Sequence, residues 1–400
     1  MTIPSQLIRS SGKSVEMNRI YFDNAATTRP AKEALDSMRP YFNEMYGNPS
    51  SAYEFGQRSR EAIDKARDII AHTLNARSSE IFFTSGGTES DNWALISAME
   101  RAEKKTGHKG HLITTAIEHP AVLNTANYLK DRGFDITIIP VNSLGLVDPD
   151  DIKAAIRPDT VLISVMMANN ETGTVEPVSE IGRIAHEYGI IFHTDAVQSY
   201  GHIPVDVKAM NIDMLSASSH KFNGPMGAGF LYINTMTSMT AFIHGGSQER
   251  NRRAGTENVP GIVGTGAAAK FSCENMEAFS KSISEIRDHI VMRVMNEING
   301  AHFNGDKEKR LPGNINFSFE GIDGESLVIA LDLMGIDASG GSACSAGSHD
   351  PSHVLTAMGL DRTLAAGALR FSLGYENTME EADRACDALK SCIERLRKNG

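Results

Sequence analysis

The stretch FTSGGTESDNWAL, residues 83–95, reads as the end of a strand, a Gly-Gly turn and the start of a helix. Free backbone N–H groups at a helix start, with the positive end of the helix dipole, bind anions. Gly86 and Gly87 let the backbone come close to a phosphate, and Thr88 adds a hydroxyl. The lysine of a Walker loop is missing, so a nucleoside triphosphate is disfavoured. Taken alone, the turn is equally well read as a helix start capped by Thr88.

The same strand–turn–helix rhythm continues on both sides, from about residue 57 to 235. The segment QRSREAIDKARDIIAHTLN (57–75) places Ala62, Ala66, Ile69, Ile70, Thr73 and Leu74 on one helical face. Short apolar runs follow: IFFTS, HLITT, DITIIP, TVLISVM, GIIFHTDA, DMLSAS and GAGFLYI. Strands alternating with helices imply βαβ units and an α/β fold around a mostly parallel sheet flanked by helices. Ligands of such sheets gather at the carboxyl ends of the strands. After about residue 270 the pattern changes to a long helix, short strands and further helices. The expected division is an extension over 1–17 without fixed structure, a large domain over 18–270 and a smaller α/β domain over 271–400. The first residues of the large domain could pack on the small one. GDKEKRLPGN (305–314) reads as an exposed loop.

Composition narrows the class. The 400 residues are 41% hydrophobic and 22% charged, as in an ordinary soluble protein. A formal net charge of −11 disfavours a dedicated partner of nucleic acid or of anionic membranes. No apolar run is long enough to span a bilayer. The start, MTIPSQLIRSSGKSVEMN, is Ser-rich and poor in acids but lacks the apolar stretch of a secretory signal. Four cysteines are few for a secreted scaffold, so a reducing, cytoplasmic setting is expected. Cys386 and Cys392 lie six residues apart on one predicted helix, point in different directions and read as apolar fillers. Cys344 is different. It sits in GGSACSAGSHDPSH (340–353), a run with almost no apolar surface, where a structural cysteine has no reason to be.

Most of the polar motifs fall at the end of a predicted strand. His119 follows HLITT, with Pro120 in the first turn of a helix. Asn169, Asn170 and Glu171 follow TVLISVM, where an Asx turn closed by Gly173 would also explain them. Asp195 ends a buried strand, with Gln198 three residues on. A carboxylate there needs a cation or a donor. SASSHKFNGPMGAGFLYI (216–233) ends a strand in Ser218, His220 and Lys221. A lysine beside an anion site and a buried acid is placed for imine chemistry. Arg370, in GALRFSLG, offers a fork for a carboxylate or for a structural ion pair. HGGSQERNRRAGTENVPG (244–261) carries three arginines without interleaved aromatics and reads as a solvated or anion-binding loop. Cys344, His349 and His353 are spaced like zinc ligands, but no fourth ligand is near and Asp350-Pro351 reads as a helix cap. No resident metal is expected.

Together these motifs, with YFDNAATT and GNPSS ahead of them, closely resemble the NifS/IscS-like cysteine desulfurases over residues 18–398. These are class V enzymes of fold type I that use pyridoxal 5'-phosphate (PLP). The SHK-x-x-GP stretch and the R-x-GT-x-N loop are the most specific signs. SACSAG stands where many relatives have SACTS, and Ser219 where many have glycine, changes that leave the reactive residues intact.

The resemblance implies roles. Lys221 would hold PLP through an imine and move the substrate α-proton, and Asp195 would pair with the ring nitrogen. His119 would stack on the ring and handle protons. Gln198 and Asn170 would contact the ring's oxygen side, and Asn170 the substrate as well. Gly87, Thr88, Ser218 and His220 would bind the phosphate. Thr256 would reach the phosphate of a neighbouring subunit, making a homodimer. Arg370 would clamp the carboxylate of L-cysteine. Cys344 would take the sulfur as a persulfide on a loop of small residues that must travel. It would deliver that sulfur to an acceptor or iron–sulfur scaffold protein, for cluster assembly or tRNA thiolation. Cys344 could also serve as a transient cluster ligand there. Selenocysteine lyase and a class V aminotransferase share the scaffold, but neither needs Cys344.

Overall fold

The computed structural model describes residues 19–340 and 351–399. The extension 1–17, Cys344 with the small residues around it, and His349 lie outside the described residues. The strands run β1 (Ile20–Tyr21), β2 (Ile81–Thr84), β3 (His111–Thr115), β4 (Asp135–Ile139), β5 (Thr160–Ser164), β6 (Ile191–Asp195), β7 (Met214–Ser218), β8 (Gly229–Ile233), β9 (Ala301–Phe303), β10 (Asn314–Phe319), β11 (Ile336–Asp337) and β12 (Ala368–Ser372).

The seven apolar runs of the first half are the seven strands of one sheet, in the order β2-β8-β7-β6-β5-β3-β4. Only β8 runs against its neighbours; the β3–β4, β3–β5, β5–β6 and β6–β7 pairs are parallel. Apart from the edge strand β4, which is largely exposed or half-buried, the strands are mostly buried on both faces, and alternation divides their side chains between two cores. Phe83, Ile113, Ile163, Phe192 and Leu215 join one core with Ile63 and Ile70 of helix Glu54–Thr73. Phe82, Leu112, Leu162, Met214 and Leu231 join the other with Trp93, Leu95 and Met99 of helix Gly87–Thr106. Helix Glu54–Thr73 buries Ile63, Ala66, Arg67, Ile70 and Ala71, so its inner face is turned towards Ile63 relative to the expected one, which centred on Ala62 and Ile69.

A separate core gathers Ile20, Phe22, Ile290, Phe317, Phe371 and Leu389. Around it lie the three-stranded sheet β12-β10-β9 and the β1–β11 pair. Residues 20–22 therefore pack with the C-terminal elements. Helix Val259–Glu297 is continuous through residue 270 and supplies side chains to both sides. We propose that the two domains meet within this helix rather than at a loop. Cys386 and Cys392 are buried in helix Met379–Asn399, with free thiols.

Two surface expectations change. The segment 305–314 exposes Lys307 to Lys309, but Arg310 turns inward. The Arg310 guanidinium donates to the carbonyls of Thr172, Asp306 and Asn314 and lies over Phe303. The loop 244–261 is exposed at 244–247 and 255–256, as expected, but engaged at its centre. Glu249 is buried against Arg67, Arg250 and Arg252 lie over Phe82, and Arg253 pairs with Glu89. Glu249, Arg250 and Asn251 hold φ of 41°, 57° and 63°, a run of left-handed residues held by these contacts. Helix His353–Ala357 is capped by Ser352, whose Oγ accepts from Leu355 N; Asp350, the expected cap, lies outside the described residues.

Candidate active site

The carboxyl ends of β2, β3, β5, β6 and β7 open onto one cavity of about 240 Å³. Gly87, Thr88, His119, Asn170, Asp195, Gln198, Ser218, His220, Lys221 and Arg370 all line it. These are the residues singled out from the sequence, except Thr256 and Cys344. Thr256 is exposed and is not among the residues lining this cavity. Cys344 lies outside the described residues.

One wall is lined by hydrogen-bond donors. Helix Gly87–Thr106 starts here, and its first N–H groups have no partner within the helix. Gly86 sits at φ 151°, a conformation side chains rarely adopt. A Cβ at Gly87 would lie 2.5 Å from Val197 Cγ2, so only glycine lets the turn close on the sheet. Glu89 occupies Ser85 N at 2.8 Å and is neutralised by Arg253 at 2.8 Å. Thr88 and Ser218 bring hydroxyls to the same wall.

At the floor, Asp195 Oδ1 accepts from Val197 N at 2.8 Å. Burial pushes its carboxyl above the ordinary range, with His119 and Lys221 pulling the other way. Lys221 Nζ donates to the carbonyls of Ala25 and Ala26, both at 2.6 Å. Gln198 Nε2 donates to Ala25 O at 3.0 Å. His220 is 3.2 Å from Thr27 Oγ1 through Nδ1; burial, then Lys221, pushes it down to about 4, so it is neutral at pH 7. YFDNAATT thus forms part of the wall, a contribution no strand pattern reveals.

His119 is both helix cap and wall. Its Nδ1 accepts from Ala121 N at 3.1 Å, and Pro120 follows at the first helical position. With Nδ1 accepting, the proton of the neutral ring sits on Nε2. The Asx turn is also real, but it belongs to Asn169. Asn169 Oδ1 accepts from Glu171 N and Thr172 N and leaves Asn170 at the cavity.

Arg370, 1% exposed, comes from the second sheet. Its Nη1 donates to Asn170 O at 2.9 Å and Nη2 to Asp23 Oδ1 at 2.8 Å. Nε has no hydrogen-bond partner among the described residues. His353 Nε2 meets the Glu118 carbonyl at 3.0 Å, which commits that nitrogen to a hydrogen bond. Among the described residues no group of three His, Cys, Asp or Glu is arranged to hold a metal. Asp91, 1% exposed on helix Gly87–Thr106, also lines the cavity. Sequence reading passed over it. The available signal was an acid at a helix position flanked by Ser90, Trp93 and Ala94, which are all buried.

Residues 20–385 match the family model described as aminotransferase class-V. The chain is 49% identical over 384 residues to a protein named cysteine desulfurase IscS from Methanosarcina thermophila, covering 96% of this chain and 94% of that one. It is 49% identical over 378 residues to another of that name from Dictyoglomus turgidum, covering 94% and 95%. A solved NifS-like protein superposes with a TM-score of 0.88 at 40% identity, covering 94% of this chain and all of that one (100%). A structure titled SspA in complex with cysteine gives 0.79 at 41% identity, covering 90% and 100%. The chain belongs to the class-V aminotransferase family, in its NifS/IscS-like cysteine desulfurase branch.

Proposed function

We propose that the cavity binds PLP and that this cysteine desulfurase uses it to move sulfur from L-cysteine to Cys344, releasing L-alanine. The observation that carries the reading is the convergence of Lys221, Asp195 and the Gly86–Thr88 turn on one cavity. The residues fit the group. The buried Asp195 needs a cation, which a protonated ring nitrogen supplies. The helix start with Thr88 and Ser218 suits a phosphate. Lys221 supplies an amine between them.

Bound PLP supplies an electron sink for charge that develops at the substrate α-carbon. This chain's residues do the rest. Asp195 would hold a proton at the ring nitrogen. Lys221 would hold the group through its amine and, with that amine free, would be the base that moves the α-proton. His119 carries its ring proton on Nε2, the nitrogen not used in capping. Arg370 and Asn170 orient the substrate carboxylate. The Cys344 thiolate attacks the substrate sulfur: the C–S bond breaks, an S–S bond forms, and protons from solvent and Lys221 complete alanine.

The persulfide then serves an acceptor or iron–sulfur scaffold protein, in cluster assembly or tRNA thiolation. We place the enzyme in the cytoplasm as a homodimer, with Thr256 facing the neighbouring subunit's phosphate. No helix among the described residues is long and apolar enough to cross a membrane.

The test is intact mass after adding L-cysteine without reductant. Native protein should gain one sulfur atom, and Cys344→Ala should gain none. Lys221→Ala should lose the covalent cofactor. Native protein that carries no PLP would overturn the reading.

A further inference from the structure

Behind Asp195 a polar stripe crosses an otherwise apolar interface. Residues alternate along β6, so His193 and Asp195 face the same side. Register pairs Ser164 with His193 and Asp195 with Ser216. All four therefore face helix Gly87–Thr106, which lays Asp91 against them. His193 Nδ1 is 2.9 Å from Ser164 Oγ, and its Nε2 is 3.0 Å from Ser216 Oγ. The Ser216 hydroxyl lies beside the Asp91 carboxyl and partly offsets the effect of burial on it. His193 Nε2 is 3.7 Å from Asp91 Oδ1, and that oxygen has no hydrogen-bond partner among the described residues. His193 and Asp91 are 0% and 1% exposed, so no bulk water compensates them.

An ionised Asp91 in this place would be a second buried anion beside Asp195. Nothing in the chain Ser164–His193–Ser216 is a cation, since burial pushes His193 down to about 3. A neutral acid fits instead. Its O–H donates to Ser216, Ser216 donates to His193 Nε2, and His193 Nδ1–H donates to Ser164. Every link then has one donor and one acceptor. The other titratable groups around it are Glu118 beyond β3, Asp195 on β6, and His119 and Lys221 at the cavity. Burial first, then Asp195 and Glu118, raise the cost of ionising Asp91, whereas Lys221 favours the ionised form of Asp195.

We propose that Asp91 is a positioning residue that stays a carboxylic acid, anchored by the Ser164–His193–Ser216 chain, so that Asp195 is the single anion presented to the cofactor ring. The proposal rests on the reading that this cavity binds PLP, but its first test does not.

Infrared spectra of the apo protein at neutral pH should contain a carboxylic acid C=O band that disappears in Asp91→Asn. An unchanged band region would overturn the proposal whether or not PLP binds. Titration of apo protein with PLP is the second test. Asp91→Asn keeps a neutral donor and should bind within about threefold of native, whereas Asp91→Leu breaks the chain and should bind at least about tenfold more weakly. Calorimetry in two buffers of different ionisation enthalpy should count the same protons for native and Asp91→Asn. A difference approaching one proton, or equal weakening by Asn and Leu, would show an anionic Asp91 and overturn the proposal. Native protein that binds no PLP would instead sink the functional reading, with the infrared result still deciding the state of Asp91.

Discussion

Two buried regions of this molecule treat their charges in opposite ways. At the open edge of β2, Arg67 and Glu249 form a bidentate pair at 2.8 Å, with side chains 9% and 3% exposed. Arg67 also donates to Ile81 O at 2.6 Å, and Glu249 accepts from Phe83 N at 3.1 Å. The pair thereby covers backbone groups that an edge strand would leave open to another chain. At the strand ends around the cavity, the polar atoms are left incomplete. Among the described residues, Arg370 Nε, Asp91 Oδ1, Glu118 Oε2 and Glu171 Oε1 are buried without hydrogen-bond partners. Satisfied charge fixes structure, whereas incomplete charge costs stability and is retained where a ligand or a proton completes it.

The comparison can be broken at four points. Arg67→Ala leaves Glu249 buried without its ion-pair partner, so denaturant unfolding should show a loss of about 3–5 kcal/mol. A loss below ~1 kcal/mol would mean the edge pair is not structural. Glu118 tests the incomplete region. Burial pushes it up to about 8, although Thr115 Oγ1 and Met166 N donate to Oε1 at 2.6 and 2.9 Å. A raised carboxyl contributes stability that is complete below its unfolded value near 4.5 and lost as pH rises towards 8. Glu118→Gln should remove that slope, gaining roughly 2–3 kcal/mol on native protein between pH 5 and 8. Parallel stability curves for the two proteins over that range would refute the assignment.

Arg370 should show the reverse balance to Arg67. Arg370→Ala should lower kcat/KM for L-cysteine by roughly 10- to 100-fold, because a charge-assisted contact to the substrate is lost. Its unfolding midpoint should fall less than that of Arg67→Ala, since the Arg370 partner Asp23 keeps 18% side-chain exposure. Arg370→Lys should not restore activity, because a lysine lacks the fork. Unchanged kinetics with a large stability loss would make Arg370 a purely structural arginine. The smallest effect is expected at the exposed pair Arg183–Glu187, with side chains 54% and 49% exposed. Arg183→Ala should stay within about 0.5 kcal/mol of native.

The sequence by itself determined the seven strands of the main sheet, because short β-rich runs separated by turns leave few other readings. It also marked ten of the cavity's wall residues, because in a parallel sheet chemistry collects at strand ends. It left open whether the first residues pack on the small domain, which residues 20–22 do, and it could not show that one helix runs from 259 to 297 through the expected boundary. Those facts depend on contacts between residues hundreds of positions apart. It read loop 244–261 as solvated or anion-binding and missed its ion pairs, since a run of arginines looks alike whether it faces water, an anion or Glu89, Glu249 and Phe82. Asp91 is the sharpest case. In sequence it is one polar residue on a helix. Only the packing of that helix over β6 and β7 places its carboxyl beside Asp195, His193 and Ser216, where burial rather than residue type decides its charge.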